Sequence, residues 1–288
     1  MAIDPEHAED IFLRAPAPAP TTPSGPIHPR SGLRDTLRKV FAPLGGLGLL
    51  LAKFAASAKF ILLLGLKGKY LATIGTMLIS IGAYTLLWGW RFAALFVALL
   101  MVHELGHAIA LRREGIATSP ILFVPFLGAV IGMRGRPHDA WVEAKVGLAG
   151  PLLGSAGAAG VLLLAHETNS RLLRAVAFTG FFLNLFNLLP VVPLDGGRAA
   201  AALHPLVWLA GIVGLAALAV WHPNPILFLF LIIGGMEAYK RLRAWRAGDA
   251  ATAAYYAVTR NQRVAVAVTY LGLAALLVVG MAHSHVHT

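Results

Sequence analysis

The sequence contains no cysteine and few charged residues of either sign. Among its 288 residues, 13 are acidic and 24 are Lys or Arg, so that 13% are charged and 58% are hydrophobic. The absence of cysteine excludes a disulfide scaffold, a thiolate metal site and a cysteine nucleophile. Because a soluble domain is about one quarter charged, this composition excludes an ordinary soluble globular protein. Its hydrophobicity also excludes intrinsic disorder as the general state, which leaves a polytopic membrane protein.

The composition changes along the chain, and the changes predict four regions. These are a disordered, Pro-rich cytoplasmic tail at 1–40, an interfacial amphipathic segment at 41–69, a membrane-embedded domain at 70–283 and a His-containing tail at 284–288. The first region begins with acidic residues and has no apolar run, so we expect no cleaved signal peptide. Lys53 and Lys59 interrupt the apolar run 44–66, which favours a helix in the interface over a span and leaves the choice between them open.

Apolar runs of nearly spanning length follow one another after residue 70. A helix needs about 20 mostly apolar residues to cross a bilayer. The candidate spans are 70–90, 92–111, 146–165, 172–189, 199–221, 225–239 and 264–282. Two of these, 172–189 and 225–239, are short. The predicted fold class is therefore an all-α polytopic membrane protein with six or seven transmembrane helices.

The basic residues predict the orientation of these spans. If the tail and every second loop face one side, that side holds all of the 24 Lys and Arg except Arg91, Arg171 and Arg174. An excess of this kind marks the cytoplasmic side. We therefore predict a multi-pass protein of the cell membrane with a cytoplasmic N-terminus. The net charge of +11 is explained by bases that flank helices at the lipid bilayer, so no nucleic-acid partner is expected. The Arg-rich, Ala-rich composition hints at a bacterial source.

One polar motif interrupts the second apolar run. His103, Glu104 and His107 form a His-Glu-x-x-His sequence within 92–111. On a helix, positions i and i+4 share a face, so that both imidazoles can bind one zinc ion while the adjacent glutamate serves as general base. Two structurally packed histidines are the alternative. It is the weaker one because each polar group inside a membrane span is costly.

A catalytic zinc site usually has three protein ligands, and Asp195 is the candidate for the third. It follows Pro190 and Pro193 and precedes Gly196 and Gly197, which predicts a broken helix. Irregular backbone at membrane depth occurs where it is buried in protein or lines a cavity. The alternative is that Asp195 only caps a helix starting near Arg198. Beside a histidine pair that lacks one ligand, the metal-ligand interpretation is favoured.

These motifs together resemble the site-2 protease family of intramembrane zinc metalloproteases. The resemblance rests on His103-Glu104-x-x-His107 and on the later Asn187-x-x-Pro190 and Leu194-Asp195-Gly196-Gly197. It implies one Zn²⁺ per chain, bound by the two histidines and the aspartate, with Glu104 as the residue that activates water. It also implies that Asn187 contacts the substrate backbone or the developing oxyanion. For Asn187, a hydrogen bond between helices is the alternative, and Asn184 is equally suited to form one.

Two further segments bear on this resemblance. Residues 119–134 are predicted to form an apolar hairpin or re-entrant segment, since prolines and glycines argue against a span. In the family a comparable element adds the substrate as a strand, a general mode of peptide capture; a packed connector is the alternative. Ala149-Gly150-Pro151 resembles a short family motif, but Gly154 stands where many relatives have asparagine. We expect neither a PDZ nor a cystathionine-synthase-like domain in this chain.

The sequence therefore predicts an intramembrane zinc metalloprotease that cleaves single-span membrane-protein substrates in regulated intramembrane proteolysis. A regulatory partner is not identified. The first alternative is a metal-binding membrane protein or transporter that uses the same ligands without catalysis, since transporters also contain broken helices. A base beside the ligands argues against it. The second alternative is an inactive relative of the protease, which the presence of all four key residues argues against.

Overall fold

The computed structural model describes residues 69–135 and 137–285. The predicted tail 1–40, the predicted interfacial segment 41–69 except its last residue, and residues 286–288 lie outside the described residues. The run 44–66 lies outside the described residues as well, so the choice between an interfacial helix and a span is not tested. The predicted domain boundaries therefore stay predictions.

Within the described residues, nine helices and two strands follow one another. They are α1 (Lys69–Trp88), α2 (Trp90–Arg113), β1 (Thr118–Val124), β2 (Gly128–Met133), α3 (Ala140–Glu167), α4 (Arg171–Asn187), α5 (Asp195–Ala200), α6 (Leu206–Trp221), α7 (Pro225–Ala247), α8 (Ala250–Tyr255) and α9 (Arg260–Ser284). Polar residues at the helix starts fix several of these bounds. The Asp139 side chain accepts the Val142 N–H at the start of α3, and Thr259 and Gln262 form a capping box at the start of α9, which satisfies backbone donors that a helix leaves free.

Four of the described helices, α1, α2, α3 and α9, are long and apolar enough to cross a membrane. The chain is thus a mostly helical membrane protein with four candidate spans and a small antiparallel sheet. Helices α4 and α6 have 17 and 16 residues, which at 1.5 Å per residue is about 25 Å, less than the roughly 30 Å of a hydrocarbon core. The count of six or seven spans is not confirmed by helix length.

Helix α3 lies at the centre and packs against α2, α4, α5 and α9. Small residues allow its close approach to α2. A Cβ atom placed on Gly106 of α2 would lie 2.2 Å from the Ala149 carbonyl oxygen of α3, so any larger residue at Gly106 would force the helices apart. Such small-residue contacts are typical of helix packing in membranes. They bring the backbone of α3 against the histidine-bearing face of α2.

The predicted hairpin at 119–134 is confirmed as the antiparallel pair β1 and β2. Helix α1 anchors it through two side chains. The Thr76 hydroxyl accepts a hydrogen bond from the Phe123 N–H at 3.2 Å, and the Tyr84 hydroxyl accepts one from the Phe126 N–H at 3.0 Å. Tyr84 is only 4% exposed. Both strands also contact α2, so the hairpin is fixed beside the helix that carries the His-Glu-x-x-His motif.

The predicted single span 199–221 is wrong. Its first residues belong to the short helix α5, a turn follows, and α6 begins only at Leu206. Pro205 is the residue before α6 and takes the N-cap position. Because proline has no N–H to donate to a preceding turn, it ends one helix and begins the next. The run stays apolar across this break, so hydrophobicity alone did not reveal it.

Candidate metal centre

The two histidines of the motif lie one turn apart on α2 and face the protein interior. His103 and His107 are each 3% exposed, and their Nε2 atoms are 3.1 Å apart. His103 follows the start of α2 at Trp90 by 13 residues and precedes its end at Arg113 by 10 residues. At 1.5 Å per residue, this places His103 about 15 Å from the basic end of the helix, near the middle of a bilayer-spanning segment.

Asp195 lies opposite the histidines, as the first residue of α5. Its Oδ2 atom is 3.1 Å from His103 Nε2 and 3.2 Å from His107 Nε2, and the residue is 7% exposed. The helix begins at Asp195 itself, and the N-cap position is occupied by Leu194 without a side-chain cap. Asp195 is therefore not the N-cap of a helix near Arg198, and its carboxylate points into the histidine pair.

Packing on two sides holds α5 in this position. The Trp208 indole N–H of α6 donates a hydrogen bond to the Gly197 carbonyl oxygen at 2.7 Å, and Trp208 is 1% exposed. On the other side, a Cβ atom placed on Gly147 of α3 would lie 2.8 Å from the Asp195 carbonyl oxygen. The short helix α5, which follows the irregular proline-containing segment 188–194, is thus packed between α3 and α6.

Hydrogen bonds at the far ring nitrogens define which imidazole atoms face the centre. His103 Nδ1 is 2.8 Å from Asn184 Oδ1, and His107 Nδ1 is 2.8 Å from the Val146 carbonyl oxygen. Both partners accept, so each Nδ1 is a nitrogen that carries a proton, and each Nε2 is the nitrogen left to serve as a metal ligand. Two imidazole nitrogens and a carboxylate oxygen then converge, an arrangement that a divalent cation would stabilise.

The distances among the three atoms fit tetrahedral zinc. Bonds of about 2.0–2.1 Å at tetrahedral angles place neighbouring ligand atoms about 3.3 Å apart, close to the 3.1–3.2 Å found here. The space is kept open by Gly150 of α3, where a Cβ atom would lie 2.2 Å from His107 Nε2 and 2.8 Å from His103 Nε2. His103, His107 and Asp195 are the group of potential metal ligands found within residues 69–135 and 137–285.

Glu104 follows His103 directly and is 6% exposed. Within the described part of the chain, its carboxylate forms no hydrogen bond or ion pair with another residue. A carboxylate buried without a partner is costly, and its position beside the histidines suits a group that accepts a proton. Its predicted role as general base is not tested by the geometry and stays a prediction.

Asn187 is the last residue of α4 and is half-buried. Its side chain makes no hydrogen bond to any residue in 69–135 or 137–285, and the structure does not join it to the three candidate ligands. Its substrate role stays a prediction. Asn184, treated in the sequence only as an alternative partner between helices, contacts His103 instead. The presence of a second asparagine three residues before Asn187 could have indicated this contact. The Val146 contact could not be predicted, because every residue has a backbone carbonyl.

A second buried polar cluster lies away from the histidines. The Arg241 guanidinium of α7 donates to both carboxylate oxygens of Glu143 on α3, at 2.8 and 3.1 Å, and to Glu237 at 3.3 Å. The Tyr255 hydroxyl also donates to Glu143. This bidentate Arg241–Glu143 pair joins α7 to α3, and we assign it no catalytic role.

The curated relatives that resemble this chain are zinc metalloproteases by name. The chain is 32% identical over 132 residues to zinc metalloprotease MJ0392 of Methanocaldococcus jannaschii, which covers 43% of this chain and 37% of the relative. It is 30% identical over 135 residues to Rip3 of Mycobacterium tuberculosis, covering 43% and 34%. It is 27% identical over 121 residues to sll0528 of Synechocystis, covering 40% and 31%. The chain therefore aligns with about one third of these relatives' lengths.

Residues 91–169 match peptidase family M50. This family is the site-2 protease family that the two motifs resemble, and the matched stretch includes α2, the hairpin and α3. Asp195 lies beyond the matched residues, so its place beside the two histidines rests on the geometry above. The relatives' names and the His103, His107 and Asp195 group fit one zinc ion.

Proposed function

We propose that the chain is an intramembrane zinc metalloprotease that hydrolyses peptide bonds within or near transmembrane segments of single-span membrane proteins. The observation that carries the proposal is the convergence of His103, His107 and Asp195 at mid-depth of a helix apolar enough to span a membrane. A membrane-embedded hydrolytic site acts on substrates that are themselves in the membrane. Regulated intramembrane proteolysis is the process such an activity serves.

The roles of the residues follow from their chemistry. His103, His107 and Asp195 would hold the zinc ion, leaving the fourth position of a catalytic site open. When bound, zinc supplies the Lewis acidity that makes water nucleophilic near neutral pH and polarises a carbonyl. Glu104 accepts the proton of the attacking water on its carboxylate and later delivers it to the leaving amine. Asn187, at the end of α4, contacts the substrate backbone or the developing oxyanion.

The same proposal includes a topology in the cell membrane of a bacterium. The N-terminus is cytoplasmic, and α4, α6 and α7 cross together with α1, α2, α3 and α9, which gives seven spans. The support is the position of Arg91, Arg171 and Arg174, which are the only Lys or Arg on the proposed outer side. Shorter helices are accommodated when the bilayer thins around them.

The experiment compares Glu104→Gln with wild type in cleavage of a single-span substrate in detergent or liposomes. Removing a general base typically costs about 10²–10⁴-fold in rate, so we expect cleavage to fall by at least about 100-fold while bound zinc is retained. Glu167→Gln is the matched control, because Glu167 is exposed at the far end of α3, and it is expected to change neither quantity.

Two outcomes would contradict the proposal. Undiminished cleavage by Glu104→Gln would exclude this residue as the base. Zinc uptake into proteoliposomes in the absence of any proteolysis would favour a transporter that uses the same three ligands, in which an unpaired Glu104 has no assigned task.

A further inference from the structure

We propose that Asn184 is a positioning residue for the zinc ligand His103, and that Gly154 serves this contact by leaving room for the asparagine side chain. The proposal rests on the metal centre proposed above and assigns a task to two residues outside the ligand set. Asn184 lies on α4 and Gly154 lies on α3, so that the contact joins three helices at the site.

Both ends of the Asn184 amide are engaged. Its Nδ2 donates to the Gly180 carbonyl oxygen at 2.7 Å, and its Oδ1 lies 2.8 Å from His103 Nδ1. Because the Gly180 partner only accepts, the amide nitrogen must face it, which leaves the oxygen for His103. Asn184 is 2% exposed, so no bulk water can replace it. The amide therefore fixes the His103 proton on Nδ1 and directs Nε2 to the metal position.

The space at Gly154 depends on the absence of a side chain. A Cβ atom placed there would lie 2.4 Å from Asn184 Oδ1, 2.9 Å from its Nδ2 and 3.0 Å from its Cγ. These are the atoms that form the two hydrogen bonds, so even a methyl group at Gly154 would displace the amide. Gly160 lies on the same helix, and a Cβ atom there would meet nothing within 4 Å.

His103 is the ligand that side-chain changes can disturb in this way. The Nδ1 atom of His107 is held by the Val146 backbone carbonyl, which no ordinary substitution removes. Partners that hydrogen-bond to metal-ligating histidines typically contribute 10–100-fold to metal affinity or activity. The same range is expected for Asn184, with Gly154 coupled to it.

The test measures zinc affinity by chelator competition in the purified full chain, and the visible spectrum of the cobalt-substituted protein, which reports ligand geometry. Asn184→Ala and the nearly isosteric Asn184→Leu should weaken zinc binding about 10–100-fold and shift the cobalt bands. Gly154→Ala should do the same although the asparagine is still present. Gly160→Ala, the matched control, should behave as wild type, and thermal unfolding verifies that each variant is folded.

The double variant Gly154→Ala/Asn184→Ala distinguishes coupling from unrelated damage. Once the amide is gone, the added methyl has nothing to displace, so the double variant should bind zinc no more weakly than Asn184→Ala alone. Wild-type affinity and spectrum in both Asn184 variants would overturn the positioning role. Fully additive losses would overturn the part assigned to Gly154. If the wild-type chain binds no zinc, the proposed metal centre itself is overturned. If it binds zinc and the Asn184 variants bind it equally well, only the positioning role is overturned.

Discussion

Gly150 of α3 is a position at which any side chain would meet the candidate metal ligands. The substitution Gly150→Ala adds one methyl group, 2.2 Å from His107 Nε2. The imidazole must then move away, because Cβ atoms do not approach so closely. We expect zinc affinity to fall by at least about tenfold, which is the smallest effect typical of losing a hydrogen bond to a metal-ligating histidine. Zinc content after dialysis against a chelator measures the effect.

The control for this substitution is Ala158→Gly, which removes a methyl group from the same helix and adds no contact to the imidazoles. Ala158 is fully buried, so this variant loses some packing but should retain its zinc. Full zinc retention by Gly150→Ala would mean that the histidines do not hold the positions found here.

Individual site residues can be predicted from this sequence where their spacing or neighbouring helix-breaking residues single them out. The i, i+4 histidines require only a helix to face the same way, and Asp195 is singled out by the prolines and glycines around it. The sequence does not decide whether Asn184 or Asn187 contacts the site, because the two lie three residues apart near the end of the same helix. The openings at Gly150 and Gly154 depend on the approach of other helices, which the local sequence does not contain.

The short helix α5 connects element packing to the candidate site. Trp208 donates to the Gly197 carbonyl oxygen two residues from Asp195. Trp208→Phe keeps an aromatic ring but leaves this buried acceptor without its donor, which typically costs about 1–3 kcal/mol. We expect a lower thermal midpoint and faster loss of zinc to a chelator. Trp245→Phe is the control, since Trp245 is 42% exposed, and equal effects of both changes would contradict the role of the hydrogen bond.

Elements marked by several helix-breaking residues are predicted well from this sequence, and a boundary marked by a single one within an apolar run is not. The hairpin was recognisable because prolines and glycines exclude a span at 119–134. The break before Pro205 was missed because apolar residues continue on both sides. Tyr84 lies within a helix that was correctly expected, but its contact with Phe126 depends on a tertiary approach that hydrophobicity does not predict.

The cluster around Glu143 couples α3, α7 and α8 and should make stability sensitive to high pH. Burial and then the Glu143 charge raise the pKa of Tyr255, with Arg241 acting in the opposite direction. A raised pKa in the folded state stabilises the fold below the unfolded value of about 10, and that stabilisation is lost as pH rises beyond it. The thermal midpoint of wild type should therefore fall above pH 10.

Tyr255→Phe isolates this contribution. The variant loses the hydrogen bond to Glu143 at every pH, but it has no hydroxyl to ionise at position 255. Its midpoint should start lower at pH 8 and decline less between pH 8 and about 11. Tyr256, whose pKa is also raised by burial, leaves a residual decline. Parallel curves for wild type and variant would show that Tyr255 does not contribute to alkaline unfolding.

For the whole molecule, composition predicts a membrane protein more securely than it predicts the number of crossings. A low charge fraction follows directly from the lack of an aqueous surface. The number of spans depends on whether α7 crosses and on whether α4 and α6, at 17 and 16 residues, cross a locally thinned bilayer. That depends on the helices packed around them, which composition does not specify.

The absence of cysteine from the sequence makes the proposed topology directly testable. A single cysteine at Glu167, between α3 and α4, is predicted to face outward, and one at Arg246, near the end of α7, to face the cytoplasm. Both positions are exposed. A membrane-impermeant maleimide should therefore label Glu167→Cys in intact cells and Arg246→Cys only after permeabilisation. The cysteine-free wild type controls for background, and labelling of Arg246→Cys in intact cells would contradict the cytoplasmic placement of the basic loops.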